Sequence, residues 1–176
     1  LLLGSSPNPG QHRLLVVPAL AGLVVAVLTR YAFPGVKGSG VNQTKAALYI
    51  HNGYISFRTV IGNFLISSLA IGSGHSLGPE DPSLQIGAGV ASLISRKVGM
   101  SKAKLRIFAP IGAAAGLAAA FNAPISAILF VIEEVIGQWS AAVLGSIVLS
   151  AVSSVVVARW FWGPEPMFRI PPVTLR

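Results

Sequence analysis

The chain has 176 residues, of which 53% are hydrophobic and 10% charged, with a net charge of +8 and no cysteine. Its mean hydropathy of +0.72 argues against a soluble globule, where about 25% of residues are charged, and against disorder, which needs low hydrophobicity; the lipid bilayer is the expected surrounding. The 13 Lys and Arg residues are spread from Arg13 to Arg176 with a single dense cluster and no basic face interleaved with aromatics, which excludes nucleic acid as a partner, and the lack of cysteine excludes disulfides and thiolate metal sites.

The first stretch, LLLGSSPNPG, has no basic segment ahead of an apolar core and so does not read as a signal peptide. With Leu1 in place of a methionine, the chain is expected to come from the middle of a longer protein. Helices are predicted at about 12–31, 41–50, 57–72, 81–97, 102–120, 124–136 and 139–161. The charge-free intervals 14–29, 59–79, 107–132 and 135–158 are each long enough to enter or cross a bilayer. Gly72, Gly74, Gly78, Pro79, Pro82, Gly112, Gly116 and Pro124 interrupt them, so several are expected to be short helices joined by breaks within the membrane. Irregular backbone survives at that depth only where protein or a water-filled cavity satisfies its polar groups.

The strongest turn signals are PGVKGSG at 34–40, GSGHSLGPEDP at 72–82 and FNAP at 121–124. Arg96, Lys97, Lys102, Lys104 and Arg106 crowd one short connection with no acid between them, which places that connection on the cytoplasmic side. The helix at 102–120 then runs outward, FNAP turns the chain, and the helix at 124–136 returns. Gly112 and Gly116, with alanines between, suit close helix approach in lipid. Trp160, Phe161 and Trp162 fit either an interfacial aromatic belt or ordinary helix packing. Residues 1–162 are read as membrane domain and the Pro-rich 163–176 as a loop outside the hydrocarbon.

Five acids occur in the chain: Glu80, Asp81, Glu133, Glu134 and Glu165. Four form two pairs bordering apolar helices, and ionisable groups at that depth are costly enough to suggest function. Two readings stand for each pair: an element of an ion path, or a helix cap for the first and a solvated interfacial end for the second. Gly78, Pro79, Asp81 and Pro82 shape a helix start at Glu80, and Gly38, Ser39 and Gly40 shape another. Helix N-termini carry free N–H groups and about half a positive charge, so two aimed at one point would bind an anion. An ionised Glu80 would occupy the anion's place, and a protonated one would leave it.

Rival chemistry fares worse. A nucleotide loop lacks the closing Lys-Ser/Thr, Asn122 reads as a cap for the FNAP break, and His75 reads as a hydrogen-bonded loop residue. No metal site is indicated. An enzyme is not expected either, because His12, His51 and His75 and the five acids do not assemble a nucleophile with its base.

GSGHSLGPEDP resembles the second signature of the CLC family of chloride channels and chloride/proton antiporters, and GSGV at 38–41 resembles the first. GAAAGLAAAFNAPISAILFVIEEV at 112–135 is very similar to the most extended block of that family. The match runs from about residue 13 to 160, in the family's order and spacing. The resemblance implies an all-α integral membrane protein with tilted and broken helices, this chain being the first inverted repeat of a CLC-type transporter.

It further implies a multi-pass protein of the plasma or inner membrane, a homodimer with helices 124–136 and 139–161 at the subunit interface, and no cofactor beyond transported chloride and protons. Ser39, followed by Gly40, matches the serine that donates to chloride; Glu80 matches the gating glutamate; Glu134, with Glu133 beside it, matches the internal proton-transfer glutamate of the antiporter branch. In the channel branch the last position is usually apolar, so the resemblance favours chloride/proton antiport over a passive gated channel. Asn42 stands where the family often has Pro, and Pro79 and Asp81 replace its common Arg and Gly. The family's second half, with a further helix N-terminus and a tyrosine, has no counterpart here. The chain is therefore expected not to transport by itself, and a non-transporting structural segment remains the alternative.

Overall fold

The computed structural model describes residues 9–138 and 141–163. Among them, seven α-helices follow one another: α1 (Pro9–Val27), α2 (Gly40–Tyr49), α3 (Phe57–Gly72), α4 (Glu80–Lys97), α5 (Lys102–Phe121), α6 (Pro124–Phe130) and α7 (Ala141–Trp162). Two of them widen into a π-helical turn at their ends, α1 at Leu28–Ala32 and α6 at Val131–Ile136. All seven coincide with predicted helices to within a few residues. Residues 164–176, the body of the predicted loop, lie outside the described residues.

The charge-free intervals proved a poorer guide than the turn signals. The interval 107–132 is cut at Asn122, which takes the left-handed conformation (φ 54°) and ends α5, and 135–158 is cut at Gly137 (φ 67°). α5 in turn begins inside the basic cluster, at Lys102. Among the described residues, two segments are long and apolar enough to cross a bilayer, Lys102–Phe121 and Val143–Trp162. Each has 20 residues, which at 1.5 Å per residue makes about 30 Å, the thickness of a hydrocarbon core. Val16–Ala32 and Phe57–Gly72 are apolar but shorter, and α2, with ten residues, reaches about 15 Å.

α5 is the central helix, touching α2, α4, α6 and α7. One reason is its row of small residues: Ala109, Ala113, Ala114 and Ala118 are fully buried. Against them α7 sets Ile147, Ala151 and Val155, spaced four apart and all buried. Toward α4 the approach is closer still. A Cβ built on Gly112 would lie 2.3 Å from the Gly87 carbonyl oxygen, and one on Gly87 would lie 2.2 Å from the Gly112 oxygen. Only glycine permits backbones to meet this way, so the small-residue signal in GAAAGLAAA marks a seam between α4 and α5. Apolar side chains such as Leu23, Leu149 and Val156 stand exposed on the outer faces of α1 and α7, the surface that a bilayer or a protein neighbour would cover.

Candidate functional site

Two helix starts meet. Ser39 is the N-cap of α2 in extended conformation, and its hydroxyl donates across to Asp81 Oδ1 at 2.9 Å rather than to its own helix. The Gly40 N–H donates to Asp81 Oδ2 at 2.6 Å and the Val41 N–H to Oδ1 at 3.2 Å. Gly40 has to be glycine here: a Cβ would stand 2.6 Å from the Asp81 carbonyl oxygen and 2.9 Å from Gln85 Cβ. The expected convergence of GSGV and GPEDP is thus present, with a different carboxylate at its centre. Asp81, not Glu80, lies on the α2 N-terminus.

Glu80 opens α4 after Pro79, its N-cap, with Pro82 in the same first turn. The Glu80 side chain folds back over Gly78, where a Cβ would lie 1.9 Å from Oε2. It is exposed and borders a cavity of about 370 Å³ whose wall includes Leu117, Phe121, Ser126 and Phe130. No hydrogen bond joins its carboxylate to α2 among the described residues. The cause of the division is local. On an α-helix successive side chains point about 100° apart, so when Asp81 faces α2, Glu80 must face elsewhere.

Glu133 and Glu134 both lie in the π-helical turn Val131–Ile136 and are exposed, while Val131, Ile132 and Val135 beside them are buried. Glu134 Oε2 is 3.6 Å from Lys45 Nζ on α2, and Glu133 borders a separate cavity with Leu129 and Gln138. Lys45 stands five residues after Gly40, about 7.5 Å along the helix axis. α2 therefore carries the Asp81 carboxylate at its start and the Glu134 pair on its flank. The Tyr49 hydroxyl donates to the Ile136 carbonyl, and Arg106 Nη2 donates to the Tyr49 carbonyl at 3.3 Å. That sequence of bonds puts the end of the 131–136 turn at the same end of the bundle as the basic cluster, as the turn signals predicted.

Two features were not legible in the sequence reading. The first is a chain of amides. Ser67 Oγ donates to Asn63 Oδ1, Asn63 Nδ2 to Gln85 Oε1, Gln85 Nε2 to Gln43 Oε1, and Gln43 Nε2 to the Lys37 carbonyl. Asn63 and Gln85 are buried, and their bonds tie α3 and α4 to α2 close to where the two helix starts meet. Uncharged amides inside apolar helices were the available signal.

The second is that both guanidinium groups of the basic cluster, Arg96 and Arg106, make structural bonds. Arg96 Nη2 donates to the Ile55 carbonyl at 2.8 Å and its guanidinium covers the Tyr54 ring at 4.3 Å. Arg106 Nε donates to the Leu48 carbonyl at 2.8 Å. His75 and Asn122 behave as read: Ser73 Oγ and His75 Nδ1 lie 2.9 Å apart, and Arg159 Nε donates to Asn122 Oδ1 at 2.7 Å.

Comparison with known proteins identifies the family. Residues 21–176 match the voltage gated chloride channel family. The chain is 32% identical over 162 residues to the H(+)/Cl(-) exchange transporter ClcA of Vibrio campbellii, covering 90% of the chain and 34% of that protein. It is 31% identical to the ClcA exchange transporter of Citrobacter koseri (97% of the chain, 38% of that protein) and 29% identical to the chloride channel protein CLC-e of Arabidopsis thaliana (93% and 24%). The chain spans roughly a quarter to two fifths of the length of these relatives.

Proposed function

The chain belongs to the CLC family of chloride channels and transporters, which are not enzymes, and on that premise we propose that the protein it forms part of exchanges chloride for protons across a membrane. The observation that supports this reading is the junction of the α2 and α4 starts. There backbone N–H groups and the Ser39 hydroxyl already hold an anionic group. Donors of this kind bind an anion without a full cation, so the anion can leave again. Ser39 and Gly40 are the chloride contacts in this reading, Glu80 the outer gate and Glu134 the inner proton carrier, with Glu133 beside it.

A passive channel is the second reading, favoured by the likeness to CLC-e and by a first turn of α4 that carries Asp81 beside Glu80. In both, the outer faces of α6 and α7, with Ile125 and Leu129 exposed, form the contact between two subunits. The deciding experiment reconstitutes the complete protein in liposomes under a chloride gradient. Exchange drives protons against the chloride flow. Chloride flux with no proton movement selects the channel, and absence of chloride flux removes both.

A further inference from the structure

We propose that Asp81 is a tethered anion that competes with the transported one for the α2 N-terminus, so that a second carboxylate besides Glu80 sets the affinity of the site. The inference rests on the chloride-transport reading and adds an occupant that it does not contain. Both Asp81 oxygens are used: Oδ1 accepts from Ser39 Oγ and the Val41 N–H, and Oδ2 accepts from the Gly40 N–H. A carboxylate in the first turn of a helix ordinarily answers the dipole of its own helix. This one reaches across to another, through the space that Gly40 leaves by lacking a side chain.

No Lys, Arg or His forms an ion pair with Asp81 among the described residues. Its negative charge is therefore met by N–H and O–H dipoles, the same groups that would meet a halide. Glu80, one residue earlier, is exposed and folded over Gly78. The two carboxylates thus hold separate places, and moving Glu80 alone leaves the α2 N-terminus filled. A permeating anion reaches these donors only in the fraction of molecules in which Asp81 has swung out, and its apparent affinity falls by that fraction.

Removing the carboxylate should raise chloride affinity. If Asp81 is seated in roughly nine molecules of ten, the dissociation constant falls about tenfold on its removal. The measurement is calorimetric titration of the detergent-solubilised complete protein with chloride, comparing it with Asp81→Asn, which keeps the shape, and Asp81→Gly, which empties the space. Tighter binding in a folded variant supports the proposal. Unchanged or weaker binding in a folded variant overturns it and leaves Asp81 as a cap for α2, since losing a cap loosens the helix without improving its anion affinity. Glu80→Gln, titrated in parallel, provides the second control: tightening there with none in the Asp81 variants also overturns the proposal. Absence of proton coupling in the unsubstituted protein bears on the exchange reading alone, because chloride binding, compared among the variants at one fixed pH, is measured whether or not the protein moves protons.

Discussion

Replacing Gly116 by alanine should force α4 and α5 apart close to the junction of the α2 and α4 starts. A Cβ on residue 116 would stand 2.2 Å from the Ser83 carbonyl oxygen and 3.1 Å from Gly87 Cα, where ordinary contact begins near 3.4 Å. The obstructing atoms are helix backbone, which has no rotamer to change, so the helices must separate by about 1 Å. Overpacking of this kind costs about 1–3 kcal/mol. Ser83 lies two residues beyond Asp81, so the same displacement acts on the bonds of 2.6, 2.9 and 3.2 Å that hold Asp81 to α2. Lengthened by a similar amount, they pass the limit of about 3.5 Å at which a hydrogen bond is lost.

The variant should therefore melt earlier in detergent and, with Asp81 drawn away from the α2 N-terminus, show an altered chloride flux in liposomes. Gly145→Ala is the comparison, because a Cβ there meets nothing within 4 Å; it should hold its stability or gain up to about 1 kcal/mol from the better helix former. A Gly116→Ala protein with unaltered melting and unaltered flux would refute the argument that this seam positions the site.

Three further outcomes are expected of the complete protein. Glu134→Val should abolish proton coupling while chloride flux persists in proteoliposomes. Its pair with Lys45 is half-exposed, so stability should change by no more than about 1 kcal/mol, and coupling that survives would remove Glu134 from the proton path. Glu80→Gln should also abolish coupling and make chloride flux nearly independent of external pH; a variant that keeps both properties would reduce Glu80 to a residue of the helix start. Gln85→Leu leaves Asn63 Nδ2 without its acceptor and Gln43 Oε1 without its donor, at a cost of about 1–3 kcal/mol, and an unchanged melting curve would mean that the amide chain contributes nothing.

Several helices were legible because they start or end at a residue whose backbone chemistry announces it. Asn122 and Gly137 adopt left-handed conformations, and Pro79 and Pro124 stand at helix starts. Charge-free length was less informative, since a break in the membrane need not contain a charge. The two helix starts at GSGV and GPEDP were readable from their glycines and prolines, and their meeting came only with the fold. Which of two adjacent acids would face α2 was not, because that depends on the rotation of α4 about its axis, and packing along Gly87, Gly112 and Gly116 sets that rotation. The amide chain escaped for a similar reason: Gln43, Asn63 and Gln85 are far apart in sequence and acquire meaning only when three helices bring them together.

α2 has a consequence for the order in which the chain is built. Its ten residues make a helix too short to be stable alone in water, and it is closed at both ends by side chains from later elements. Asp81 of α4 meets its first N–H groups, and Arg106 of α5 meets the carbonyls of Leu48 and Tyr49 at its last turn. A ribosome finishes residue 49 long before it reaches residue 106. In a growing chain the two ends of α2 lack these partners until α4 and α5 have been made and bring a carboxylate to one end and a guanidinium to the other. Of these three helices α2 would then be the first made and the last seated.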